Sequence, residues 1–452
     1  MTEEKTESHD QAVPEAWSAF MREGWGDREL NLPAHPVTPY AAARRARLAE
    51  AFPGERLVVP SGTYKVRSND TDYRFRPDSA HTYLTGNQTS DASLVIEPDG
   101  SAVLYARPRS SRETDEFFRD RAYGELWAGR RPSARELSDS LGIEVRHIDS
   151  LDLGGSTPTR VLHEDPDLTR VASELRLVKD EWEIAELSEA CEITALGFED
   201  CVREWDDVRT YGERWIEGTF FRRARAMGND LGYDSIVGAG AHATTLHWID
   251  NTGPVKPDDM VLLDMGVEGR NLYTADITRT LPVSGTYSPL HRELYTLVLR
   301  AQEAGIAAVR PGAAFRDPHH AAVSVLAHGL SDMGLLPVSV DEALDETSKV
   351  YSRWTLHSVS HMLGIDVHDC AAAAKEAYTE GTLEEGMVLT VEPGLYFQID
   401  DLLVPGEMRG IGIRIEDDIL VTAASEGGAR NLSHHLPRHP GEVEEWMGRL
   451  LP

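Results

Sequence analysis

The chain has 452 residues, 76 Asp+Glu against 45 Lys+Arg, and a formal net charge of -31. One hydrophobic core stops growing at roughly 250–300 residues, so more than one domain is expected. The 41% of apolar residues suffices for packed cores. The acidic balance excludes a phosphate backbone or an anionic membrane surface as the main partner.

Cys191, Cys201 and Cys370 are widely spaced and form no CxxC. Neither a disulfide framework nor a thiolate zinc site is indicated. Residues 1–10 are polar and acidic with no apolar stretch behind them, unlike a signal peptide. No run reaches the ~18–20 apolar residues of a membrane span. A soluble, cytoplasmic protein is expected. Residues 1–30 read as an N-terminal extension, partly disordered. Residues 31–165 read as an α/β domain, with a helix over 39–52. Its strand patterns fall at 56–60, 82–86, 93–96 and 102–106, the last two flanking the turn Pro98-Asp99-Gly100.

Residues 166–452 form the second domain. A helix over 179–198 places Ile184, Leu187, Cys191, Ala195 and Phe198 on one face. Another starts with Ser288 as N-cap and Pro289 behind it, and stops near 309 at Arg310-Pro311-Gly312. Strands are expected at 260–263, 388–391 and 412–415.

Acids interrupt these strands. Asp264 ends Val261-Leu262-Leu263, and Asp276 sits in Thr274-Ala275-Asp276-Ile277-Thr278. Glu392 follows Val388-Leu389-Thr390-Val391, and Glu416 follows Ile413-Arg414-Ile415. A buried carboxylate is costly unless it is paired, protonated or bound to a cation. A single such acid could be an edge residue or an arginine partner. Four in one domain, each beside apolar residues, point to a cation. Histidines gather at His357, His361 and His368, with His247 apart. Four carboxylates and one imidazole suit Mn²⁺, Co²⁺ or Zn²⁺ better than a thiophilic ion. Bridging carboxylates hold two ions ~3.5–4 Å apart. Arg414 alternates with Glu416 on one strand face. His319-His320 and His434-His435 are expected at the surface. Gly238-Ala239-Gly240 lacks the third glycine of a dinucleotide loop, and no HExxH or GxSxG is present.

Leu263-Asp264-Met265-Gly266, Asp276-Ile277-Thr278-Arg279-Thr280, the stretch from His357 to Asp369, Val391-Glu392-Pro393-Gly394 and Arg414-Ile415-Glu416-Asp417 resemble the metal motifs of the pita-bread metallopeptidases. Within that group they look most like the aminopeptidase P family. Phe75-Arg76-Pro77-Asp78-Ser79 through Tyr83-Leu84-Thr85-Gly86 resembles, more weakly, that family's N-terminal domain. The resemblance implies an α+β chain, with a C-terminal pita-bread fold behind a smaller α/β domain.

It further implies a hydrolase that cuts between an N-terminal residue and a following proline, using two divalent ions, Mn²⁺ first. Asp264 would hold one ion, Asp276 and Glu416 would bridge, and His361 and Glu392 would complete the other. Glu392 would shuttle the proton and His368 would donate to the oxyanion. His357 and His247 would shape the proline side, and Arg414 would meet a substrate carboxylate or steady a bridging acid. The family pattern implies a dimer or tetramer. Two alternatives share the fold: a prolidase restricted to dipeptides, and a metal-free relative without catalysis. The interval from Asp264 to Asp276 is one residue longer than the family's. The hairpin Val267-Glu268-Gly269-Arg270-Asn271 is expected to absorb it.

Overall fold

A computed structural model describes residues 13–451. The chain divides into two compact units, one ending at Leu168 and the other starting at Thr169. The start of the expected N-terminal extension, residues 1–12, lies outside the described residues. Glu15–Arg22 of the same stretch is helical.

The first unit is built on a five-stranded mixed sheet. Its order is Glu144–His147, Ala102–Ala106, Ser93–Ile96, Arg56–Pro60 and Thr159–Val161. The central hairpin turns at Pro98-Asp99-Gly100 as the sequence suggested, with Gly100 at φ 83. Val58, Val95, Val103 and Tyr105 pack as one core cluster. One expected strand is absent. Residues 82–85 belong to a buried helix, Ser79–Thr85, capped by Asp78, whose side chain accepts from the His81 N–H. Gly86 ends it at φ 73, where an added Cβ would sit 2.5 Å from Val37 Cγ1. Caps at both ends outweigh the β-leaning Thr82, Tyr83 and Thr85.

The second unit opens with the helix Glu181–Arg203, held by a capping box between Asp180 and Glu183. The helix Pro289–Ala308 starts as read, with the Ser288 side chain accepting from the His291 N–H. It packs along Asp317–Asp332. Three antiparallel strands, Ile277–Pro282, Met260–Met265 and Ile236–Ala239, form one sheet. Val388–Val391 pairs with Asp417–Val421, and Gly394–Phe397 with Ile411–Arg414.

These ladders explain where the acids sit. Val391 pairs with Asp417 and Gly394 with Arg414. Glu392 and Glu416 therefore fall in the gap where the paired chains pass from one ladder to the next. Their N–H groups turn elsewhere: Glu392 donates to Val359 O and Glu416 to Thr278 O. Asp264 pairs with Thr278, and Asp276 directly precedes its strand. The extra residue between the two aspartates leaves this register unbroken. In the turn between them Leu272 takes φ 71 and is 1% exposed.

Residues 355–386 hold bends, turns and isolated bridges instead of a helix. His357 and His361 are thus not one helical turn apart. All three cysteines are buried and free. Among the described residues no helix is long and apolar enough to cross a membrane.

Candidate active site

A cavity of about 590 Å³ in the second unit is lined by Asp264, Asp276, His361, Glu392 and Glu416. His247, His357, His368 and Arg414 line it too. Every site residue expected from the sequence therefore borders one space. Asp276, His361 and Glu416 each offer a ligand atom, and these atoms lie within 4.8 Å of one another. His361 Nε2 stands 3.3 Å from Asp276 Oδ2 and 3.6 Å from Glu392 Oε1.

Electrostatics favour a cation here. Burial first, and then neighbouring carboxylates, push Asp276, Glu392 and Glu416 well above the usual carboxylate range. Buried like charges cannot all ionise unless positive charge joins them. The protein supplies one such charge. Arg414 Nη2 contacts Asp264 Oδ2 at 2.5 Å, so its partner is Asp264 rather than Glu416. Glu416 accepts instead from the Thr278 hydroxyl at 2.6 Å. One guanidinium does not balance four clustered carboxylates. The donor set of carboxylates and one imidazole fits a divalent cation.

Hydrogen bonds aim these groups. Arg279 is almost fully buried, donates to the carbonyls of Thr278 and Glu416, and pairs with Asp417 at 2.7 Å. It ties the Asp276 strand to the Glu416 strand. The Asp276 N–H donates to Asp418. His357 Nδ1 bonds Ser358 O, leaving Nε2 to accept from the Tyr396 hydroxyl, each at 2.8 Å. Burial, then the charge of Arg414, holds this imidazole neutral with a pKa lowered to about 4.

Two phenols were not foreseen. The Tyr233 hydroxyl stands 2.6 Å from Asp264 Oδ1 and 2.5 Å from Asp276 Oδ1. Tyr396 receives Arg414 Nη1 at 2.9 Å and connects it to His357. In the sequence both read as ordinary core aromatics. His247 is exposed at the cavity, and His242 stacks on Trp248 at 3.9 Å. The expectation of a surface His319 is corrected. It is partly buried, and its Nδ1 accepts the Val359 N–H. His434 and His435 are exposed as expected.

The model of metallopeptidase family M24 matches residues 185–423. The chain belongs to metallopeptidase family M24. Residues 41–154 match the aminopeptidase P N-terminal domain, which places this M24 chain with the aminopeptidase P enzymes. It is 54% identical to Xaa-Pro aminopeptidase 1 of Streptomyces coelicolor over 95% of this chain and 91% of that protein. It is 31% identical to the Xaa-Pro aminopeptidase of Escherichia coli over 89% of this chain and 96% of that one.

Among solved structures, Pseudomonas aeruginosa aminopeptidase PepP superposes with a TM-score of 0.80 at 28% identity, over 92% of this chain and 99% of that one. A Glu-to-Ala variant of Escherichia coli aminopeptidase P in complex with substrate gives 0.79 at 30% identity, over 92% and 99%. The M24 chain thus has the pita-bread fold behind a smaller N-terminal domain, and it is a hydrolase.

Proposed function

We propose that the protein is a dinuclear-metal Xaa-Pro aminopeptidase, releasing the N-terminal residue of peptides whose second residue is proline. The observation that carries this is the convergence of Asp264, Asp276, His361, Glu392 and Glu416 on one cavity beside His247, His357 and His368. The names of its relatives agree with it.

In this reading Asp264 would hold one ion, Asp276 and Glu416 would bridge, and His361 and Glu392 would complete the other, with Mn²⁺ the first choice, then Co²⁺ or Zn²⁺. Bound divalent cations lower the pKa of water and polarise the scissile carbonyl. Glu392 takes the proton of the attacking water and hands it to the proline nitrogen as the bond breaks. That nitrogen carries no hydrogen before cleavage, so the site selects by ring shape instead of by accepting an N–H. His247 and His357 border the proline ring, and His368 donates to the developing oxyanion. Neutral His357, fixed by Tyr396, keeps Glu392 company at 3.4 Å without competing for its proton. Arg414 holds Asp264 in place for the substrate's free amine. The enzyme acts in the cytoplasm as a dimer or tetramer.

Paired assays test this. An Ala-Pro-Ala tripeptide should be cut to Ala and Pro-Ala, with Ala-Ala-Ala left intact. Cleavage confined to an Ala-Pro dipeptide would instead indicate a prolidase.

A further inference from the structure

A second cavity, of about 550 Å³, shares His357, Ser358 and Ser360 with the first. Its chemistry is opposite in sign. The cations Arg316 and Lys349 line it beside the imidazoles of His319 and His320, against the single acid Glu346. In a chain of net charge -31 such a grouping is unexpected. Other arginines of this unit, among them Arg203, Arg209 and Arg223, pair with carboxylates. Among the described residues neither Arg316 nor Lys349 has a carboxylate within ion-pair distance, and the Arg316 Nε bond goes to the neutral Thr379 carbonyl. Both are exposed at the cavity and free of a carboxylate partner among the described residues.

Two buried hydroxyls line the same space. Thr355 Oγ1 and Ser360 Oγ have no partner among the described residues, although Thr355 is 2% exposed and Ser360 5%. An unmet buried hydroxyl costs about 1–3 kcal/mol, and both belong to residues bordering the cavity. His319 adds a third donor. Its Nδ1 accepts the Val359 N–H at 3.3 Å, which leaves the ring hydrogen on Nε2. Burial first, and then its charged and titratable neighbours, Lys349 and Arg316 among them, lower its pKa to about 4, so these two cations are close enough to be felt. Phe315, Val323 and Leu356 supply apolar wall. Donors, positive charge and an aliphatic wall together suit a carboxylate on a short carbon chain.

We propose that this cavity is an anion subsite of the active site, taking a carboxylate carried by the peptide substrate. The proposal rests on the Xaa-Pro aminopeptidase reading. The carboxylate has two sources: an acidic first residue, or the free C-terminus of a short peptide. Three peptides separate them, namely Ala-Pro-Ala-amide, Glu-Pro-Ala-amide and Ala-Pro-Ala. Each is assayed with the metal-loaded wild type, with Lys349→Glu and with Arg316→Gln.

Both variants should lower kcat/KM about tenfold for at least one carboxylate-bearing peptide, the scale of one charge-assisted hydrogen bond. Ala-Pro-Ala-amide should stay within about twofold, and high salt should shrink the difference, as screening requires. The peptide that loses most identifies the source. Equal loss on all three peptides, or no loss on any, overturns the subsite while leaving the peptidase reading standing. A wild type that cuts none of the three overturns both.

Discussion

Arg414 Nη2 and Asp264 Oδ2 meet at 2.5 Å, joining the strand Ile411–Arg414 to Met260–Met265, with side chains 3% and 10% exposed. The same guanidinium reaches Tyr396 and Thr278. Breaking a buried pair by removing one partner costs about 3–5 kcal/mol. Arg414→Ala should therefore lower the melting temperature of the chelated protein, and a divalent ion should restore part of it by neutralising Asp264. Activity should fall by roughly 10²-fold, about 3 kcal/mol of lost transition-state stabilisation. Arg414→Lys should not rescue it, because an ammonium cannot serve Asp264, Tyr396 and Thr278 together. Calorimetry with and without chelator checks the first point, and steady-state kinetics the second.

Tyr233→Phe removes the phenol that stands between Asp264 and Asp276. Its single hydrogen serves one carboxylate at a time and orients both. Partners that orient metal ligands are typically worth 10–100-fold in metal affinity or activity. The variant should need a correspondingly higher Mn²⁺ concentration for half-maximal activity, with kcat at saturating metal less affected. An unchanged metal titration would remove Tyr233 from the site.

Metal binding should also appear as stability. Asp276, Glu392 and Glu416 resist ionising together in their buried setting. A cation that binds only the folded state stabilises by about 2.7 kcal/mol at a hundredfold excess over its Kd. Removing it should lower the melting temperature of the second unit and abolish turnover. Glu416→Ala should abolish turnover too, with the fold retained by circular dichroism.

His81 predicts a pH effect away from the site. It is fully buried; Nδ1 bonds Val59 O at 2.8 Å, and the Asn87 amide meets Nε2 at 3.1 Å. Burial lowers its pKa from 6.5 to about 4. Below pH 6.5 the unfolded chain takes up a proton that the folded chain refuses. Stability from this group is complete above pH 6.5 and is lost as the pH falls towards 4, on the order of 3 kcal/mol in all. His319 acts in the same direction. Urea denaturation at pH 7, 6 and 5 should show a weaker slope in His81→Gln than in the wild type.

The four acids that line the cavity were legible because each interrupts an apolar stretch. Charge at a position that periodicity assigns to the interior is a strong local signal. Tyr233 and Tyr396 carried none, since an aromatic residue just before or within a strand is what a core requires. Their roles exist only across separations of 31 and 43 residues for Tyr233, and 18 for Tyr396 with Arg414. The helix Ser79–Thr85 was missed for a related reason. Seven residues are too few for a helical period to emerge, and its caps outweigh its composition. His319 looked like surface because no acidic residue stands near it at metal-ligand spacing in the sequence. Its bond to Val359 spans 40 residues.

The most direct test strips the protein with chelator and follows Ala-Pro-Ala before and after Mn²⁺ is returned. The account predicts no cleavage by the stripped protein, and release of Ala and Pro-Ala on restoration. Undiminished cleavage without metal, or none with Mn²⁺, Co²⁺ or Zn²⁺ restored, would contradict it.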